Sequence, residues 1–329
     1  MADMRDVILT QADQIRQSLT VNKDVRVEGA FDAIVVAGMG GSGHPGDLLN
    51  ALGLTKVPLI VHRDYGLPRL HAKNPLVICS TYSGNTEETL SAYAAAKQSG
   101  YTILSNTSGG KLAELSAADG MPVVTIDFPG MQPRHTLFAS FVGLATALKN
   151  SGLAEDITSD LNRVADVLDE IIATLESPAK ALASKLKGVT PIYTSASLLS
   201  FAAKNFKIQT NENVKVPAFW NEFPELNHNE MVGFTAPQGK FHVVMLKDSD
   251  DHERNKARMA VTSELYQSWG VGVSDVVVEG QTVLEKIFYA VSFGLWTTYH
   301  LAQEYGIDPV PVAGVENFKK RLVELAGEV

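Results

Sequence analysis

From residue 31 onward, short unbroken apolar runs alternate with stretches of helical periodicity. The first runs are AIVVAG (33–38), VPLIVH (57–62), PLVICS (75–80), YTILSN (101–106) and PVVTID (122–127). Apolar runs of this length, without polar alternation, predict strands covered on both faces, as a parallel sheet requires. Between them lie stretches such as TEETLSAYAAAKQSG, rich in helix formers and closing on Gly100, a residue suited to the left-handed position after a helix. Residues 137–186 are helical in pattern, with no proline from Leu137 to Glu176, and predict two helices joining two halves. The rhythm then resumes. TPIYTSA (190–196), FHVVML (241–246) and SDVVVEG (274–280) predict strands, and SLLSFAAKNFKIQTNE, HERNKARMAVTSELYQSWG and TVLEKIFYAVSFGLWTTYHLAQEYG predict helices. The expected fold class is α/β, with domains over 1–150 and 151–329, each a parallel sheet with helices on both faces.

Composition narrows the partners. The 329 residues are 45% hydrophobic and 20% charged, ordinary for an enzyme with a sizeable core. The formal charge of -9 argues against broad binding to nucleic acid or an anionic membrane. A small anionic ligand remains open, but needs a local device of helix N-termini, backbone N–H groups and one or two placed cations. The single cysteine, Cys79, excludes a disulfide within the chain, and no Cys/His spacing suggests a metal site. MADMRDVILTQADQIRQSL carries acids among its apolar residues, unlike a signal or transit peptide, and no apolar run reaches the ~18 residues of a membrane helix. A cytoplasmic location, with no cofactor, is the expectation.

Candidate chemistry concentrates where strands end. After the first run comes GMGGSGHPGD, where Gly38, Gly40 and Gly43 fit G-x-G-x-x-G and Asp64 follows the next run. That pattern suits a dinucleotide or merely a tight turn; Ser42 adds a hydroxyl to it. After the third run comes STYSGNTEET, with Ser80, Thr81, Ser83, Thr86, Thr89 and Tyr82. Asn85 and Glu88 fit a helix-capping box. Thr81, Ser83 and Thr86 are then left over at a helix N-terminus, an arrangement that fits a phosphate. Successive parallel strands end on one edge, so Ser42 can lie close to Thr81. FPGMQPRHTL supplies Arg134 at a helix start, which would otherwise read as a solvated surface residue. The second half holds IQTNENVKVPAFWNEFPELNHNEMVGF, with Glu212, Glu222, Glu225, His228 and Glu230. Glu212 ends a predicted helix, where the negative end of the dipole disfavours a carboxylate and pushes its pKa towards that of a base working near pH 7.

GMGGSG, TYSGNTEET, QPR, NEN-x-K and NHNE, in that order, resemble the bifunctional phosphoglucose/phosphomannose isomerases of the SIS fold superfamily, from about residue 30 to 325. The SGNTEET loop by itself indicates only a SIS domain; its combination with NEN and NHNE is much more specific. The resemblance implies two SIS-type domains. It also implies interconversion of glucose 6-phosphate and fructose 6-phosphate, with mannose 6-phosphate as a further substrate, through a metal-free cis-enediolate. It assigns Gly40, Gly41, Ser42, Thr81, Ser83 and Thr86 to the substrate phosphate and Arg134 to the enediolate. Glu212 would shuttle the proton between C1 and C2, His228 would assist ring opening, and Lys319, or its neighbour Lys320, would move the hydroxyl proton. Similar enzymes are homodimers with shared sites, for which Phe219, Trp220 and Phe223 in PAFWNEFPELNHNE offer an aromatic anchor. Two positions depart from the family pattern. His135 follows the Pro-Arg pair where a small residue is usual, and Val310 follows Asp308-Pro309 where a threonine is common. Three other readings compete: an NADP-dependent reductase using Arg63 or Asp64, a non-catalytic sugar-phosphate sensor, and an amino-sugar phosphate isomerase.

Overall fold

The computed structural model describes residues 3–196 and 199–327. Packing divides them into two compact units, Thr10–Asp166 and a second made of Asp3–Leu9 with the chain from Val167 onward. The first helix, α1 (Met4–Leu9), therefore belongs to the second unit.

In the first unit, β1 (Ala33–Ala37), β2 (Leu59–His62), β3 (Pro75–Ser80), β4 (Thr102–Thr107) and β5 (Val123–Thr125) form one parallel sheet. The order is β2-β1-β3-β4-β5. Every residue of β1 and β3 is buried, which is why both read as continuous apolar runs. Helices α2 (Gln11–Val21), α3 (His44–Ala51), α4 (Glu87–Gln98), α5 (Gly110–Asp119) and α6 (Leu137–Asn150) complete the unit. Strand order reverses between β1 and β3, and the register pairs Ala37 with Cys79. The turns after these two strands consequently leave the sheet side by side, at the place where open α/β sheets bind ligands.

The second unit repeats the scheme with β6 (Thr190–Ala196), β7 (Phe219–Phe223), β8 (Phe241–Lys247) and β9 (Gly272–Val277), all parallel, in the order β7-β6-β8-β9. α7 (Thr158–Ile171) leads from the first unit, and α8 (Glu176–Leu186), α9 (Ser200–Gln209), α10 (Glu253–Ser268), α11 (Val283–Glu304) and α12 (Ala313–Ala326) follow. The apolar α11 packs against α8, α9 and α1. Its Trp296 is wholly buried and donates its indole N–H to Ile172 O at 2.8 Å. The Arg5 guanidinium of α1 lies 5.7 Å from the Trp296 ring centre and 3.2 Å from the Glu176 carboxylate.

Three expectations change. Residues 137–186 hold three helices, α6, α7 and α8, not two. Gly152, in the left-handed conformation, follows α6, and the Asp156 carboxylate accepts from the Thr158 amide at 3.0 Å where α7 begins. Pro178 sits in the first turn of α8, where its missing N–H costs no helical bond. The aromatic segment FWNEF, absent from the predicted strands, is β7, a parallel edge strand. The helix expected to start near Ser197 runs from Ser200; Ser197 and Leu198 lie outside the described residues.

Candidate active site

The hydroxyls of the β3–α4 turn separate into two sets. Ser80 is wholly buried and donates to the Ser42 carbonyl at 2.6 Å, and buried Thr89 donates back to Ser80 O at 3.4 Å. These two hold the turn itself. Thr81, Ser83 and Thr86 form a second group, with Thr81 Oγ1 2.8 Å from Thr86 Oγ1 and 3.4 Å from Ser83 Oγ. Ser42 joins them from the neighbouring turn by accepting the Tyr82 amide at 3.1 Å. Three hydroxyls sharing two contacts leave one O–H over, and Ser42, here an acceptor, keeps its own. The first-turn amides of α4 have no helical carbonyl to bond, so two hydroxyl donors and a helix N-terminus meet at one point.

The expected capping box does not form. Thr86 is the residue before α4, and Asn85 turns its carbonyl oxygen to the amide of Lys111 in the first turn of α5, at 3.0 Å. This ties the turn to the next helix. Gly84, in the left-handed conformation, makes the tie possible, because a Cβ there would collide with the Gly109 carbonyl. The Tyr65 hydroxyl donates to the Glu87 carboxylate at 3.1 Å.

Gly41 brings Arg134 to the same place. A Cβ on Gly41 would stand 2.9 Å from both N and Cα of Arg134, so only glycine allows the 3-10 turn of residues 40–42 to lie against that of residues 133–135. Arg134 is 3% exposed, against the surface reading. His135 beside it is also buried, so it is not outward-facing. Gly40 is exposed at the rim with φ +50°. The first unit thus gathers Gly40, Gly41, Ser42, Thr81, Ser83, Thr86 and the backbone of Arg134.

Asn106 is a member of this cluster that the sequence reading missed. Wholly buried at the end of β4, it donates to Ser80 Oγ at 2.9 Å and to Ser140 Oγ at 2.6 Å, while its carbonyl accepts from the Thr81 amide at 3.0 Å. A polar residue closing a buried apolar run, level with the other strand ends, was the available signal.

In the second unit the candidate residues stand on three separate elements. Glu212 lies on a π-helical turn, Thr210–Val214, that continues α9. Such wide turns recur at functional sites. The turn is held from several sides: the Tyr193 hydroxyl is 2.7 Å from Thr210 Oγ1, and Asn213 donates to Gln209 at 2.9 Å and Thr298 at 3.0 Å. Burial pushes the Tyr193 hydroxyl up, so it stays protonated. Lys215 then takes φ +60°, a conformation that costs a side-chain-bearing residue roughly 1 kcal/mol, with its ammonium on the Asp308 carbonyl at 2.8 Å. Val310 is buried and its amide caps the Asp308 carboxylate at 2.9 Å.

His228 is exposed at the end of a 3-10 turn of residues 225–228 that follows β7. Of the expected aromatic anchor, Phe223 is buried among Leu226, Phe234 and Met245, whereas Phe219 is 55% exposed. Lys319 and Lys320 are both exposed on α12, and Lys319 pairs with Glu316 at 3.3 Å. Among the described residues no group of three or more His, Cys, Asp or Glu side chains is arranged to hold a metal ion.

Comparison with known proteins gives the family and the fold. Residues 175–322 match the family described as the bacterial phospho-glucose isomerase C-terminal SIS domain. The bifunctional phosphoglucose/phosphomannose isomerase of Caldicellulosiruptor bescii is 37% identical, over 98% of this chain and 99% of its own. The protein of the same name from Aquifex aeolicus is 35% identical, over 89% of this chain and 91% of its own. Among solved structures, the C-terminal domain of glucosamine-fructose-6-phosphate aminotransferase from Francisella tularensis superposes with a TM-score of 0.71 at 14% identity, over 94% of this chain and 98% of that one, a likeness of fold. Two parallel sheets flanked by helices, and relatives of 37% and 35% identity over most of the chain, lead to one conclusion: this chain belongs to the bifunctional phosphoglucose/phosphomannose isomerase family.

Proposed function

We propose that the protein interconverts glucose 6-phosphate and fructose 6-phosphate, and accepts mannose 6-phosphate as the C2 epimer, by proton transfer through a cis-enediolate. The observation that carries this reading is the convergence of Ser42, Thr81, Ser83 and Thr86 on the N-terminus of α4. That cradle matches the donors a phosphate needs and would anchor the sugar's C6 end.

The remaining roles follow from the reaction. His228 would assist opening of the pyranose by protonating its ring oxygen. Glu212 would take the hydrogen from C2 of the open aldose and return it to C1, while the O2 hydroxyl proton passes to O1, which gives the ketose. The intermediate carries negative charge on its oxygens, which the Arg134 guanidinium would offset. Lys319 would move a hydroxyl proton during ring opening. Glucose and mannose phosphates share one enediolate, because C2 becomes planar when its hydrogen leaves. The reading includes a homodimer with shared sites: Phe219 and Val232, 55% and 62% exposed, leave apolar surface on either side of the His228 turn. With a net charge of -9 and no helix among the described residues long and apolar enough to cross a membrane, a soluble cytoplasmic enzyme is part of the proposal.

A coupled assay tests it. Fructose 6-phosphate, with glucose-6-phosphate dehydrogenase and no added metal, is expected to yield NADPH. Glu212→Gln is expected to abolish it, along with exchange of the C2 hydrogen into solvent, while sugar-phosphate binding persists. Undiminished C2 exchange in that variant would remove Glu212 as the base.

A further inference from the structure

His228 is exposed, and no hydrogen bond or ion pair of its ring is found among the described residues, so its aim is set by the turn that carries it. That turn is braced residue by residue. Leu226 is wholly buried in the apolar core of the second unit. Asn229 donates to the Glu225 carboxylate at 2.7 Å, and the Glu230 carboxylate accepts from Asn221 of β7 at 2.8 Å. Asn227, immediately before the histidine, reaches in the other direction. Its amide nitrogen donates to Thr262 Oγ1 of α10 at 2.8 Å, and its carbonyl oxygen accepts from the Arg258 guanidinium at 3.4 Å. Thr262 is 1% exposed, so its hydroxyl is a fixed point. A groove of about 380 Å³, lined by Asn227, Met231, Arg254 and Arg258 among others, runs beside these contacts. Leu226 shares its apolar cluster with Met259 and Tyr266 of α10, and the polar contacts of Asn227 add a directional brace to that packing.

We propose that Asn227 is a positioning residue for His228: held between Thr262 and Arg258, it fixes the turn that aims the imidazole at the ring oxygen of the cyclic substrate. The inference rests on the reading of His228 as the ring-opening group. Displacing a reacting group by about 1 Å can cost a hundredfold in rate, and loss of one of several braces should displace it less.

Ring opening can be separated from the later proton transfer by the choice of substrate. A 4,5-dideoxyhexose 6-phosphate keeps the phosphate, C1, C2 and the O2 and O3 hydroxyls, but has no hydroxyl able to close a furanose or pyranose. It enters the reaction already open. Asn227→Ala is expected to lower kcat on glucose 6-phosphate about tenfold with KM within twofold, and to leave C2 hydrogen exchange of the dideoxy analogue within twofold of wild type. Asn227→Asp should restore most of the loss, because the Thr262 hydroxyl and Arg258 can both donate to a carboxylate. Thr262→Val, isosteric and at the other end of the contact, should discriminate between the two substrates in the same direction.

Equal loss on both substrates, no loss on either, or an Asn227→Asp variant as impaired as Asn227→Ala would overturn the proposal. His228→Ala separates the two levels. If it slows only the cyclic substrate while Asn227→Ala slows both or neither, the positioning role alone falls. If His228→Ala does not distinguish the substrates, the ring-opening reading falls and takes this one with it.

Discussion

Replacing Thr81 by valine removes one hydroxyl and keeps the shape of the side chain. In the free protein the loss is limited to contacts with Thr86 at 2.8 Å and Ser83 at 3.4 Å, neutral bonds together worth about 1 kcal/mol of stability. In the complex, the same hydroxyl would face a phosphate oxygen. A hydrogen bond to a charged group is worth about 1.5–3 kcal/mol, which corresponds to roughly 10- to 150-fold in affinity. Thr81→Val is therefore expected to raise KM for fructose 6-phosphate, and Kd for inorganic phosphate by calorimetry, by at least tenfold, while thermal unfolding shifts only slightly. Thr89→Val is the matched control: the same substitution in the first turn of α4, at a hydroxyl that donates to the Ser80 carbonyl at 3.4 Å. It should lower stability no more than Thr81→Val does and leave KM within twofold. If Thr81→Val keeps its KM, or if both variants raise it equally, the division of the hydroxyls into a structural set and a phosphate-binding set is wrong.

Gly41→Ala would place a Cβ 2.9 Å from the Arg134 backbone, where ordinary contact begins near 3.4 Å. One of the two turns must give by about half an ångström, and kcat should fall about tenfold in the coupled assay; a kcat within twofold would show that Arg134 tolerates the shift. Mixing unfolded Glu212→Ala and His228→Ala chains and refolding them should restore about a quarter of wild-type activity if the two residues of each site come from different subunits, since half the dimers are mixed and each has one intact site. A mixture that stays inactive rules the shared site out. Burial holds His242 and His300 below the usual histidine value of 6.5. As pH falls below 6.5 the unfolded chain binds protons that these folded histidines do not, so their contribution is complete above 6.5 and is lost towards their lower folded values. Urea titrations from pH 7.5 down to 5 should show stability falling, less steeply in a His242→Gln/His300→Gln variant; an identical slope would mean other groups govern it.

Strands such as β1 and β3 were legible because parallel strands buried on both faces are apolar throughout, and a run such as PLVICS can be little else; the partly exposed β2, β5 and β9 still showed as short apolar runs. The cluster of hydroxyls at the β3–α4 turn was legible for a different reason: helix capping consumes one or two polar side chains, and STYSGNTEET has more than that. Local pattern alone determined these features. Tertiary structure decided the choice of partner. Asn85 and Glu88 satisfy a capping box on paper, yet Asn85 bonds Lys111, and only the close approach of Gly84 to Gly109 makes that option available. FWNEF alternates poorly and carries Asn221 and Glu222, because an edge strand with a partly exposed face has no need of a full apolar run. Residues 3–9 have the amphipathic pattern of any surface helix. That they pack with the second unit, with Arg5 against Trp296 and Glu176, depends on a surface built by residues more than 170 positions later, and periodicity in one segment carries no record of the surface that will cover it.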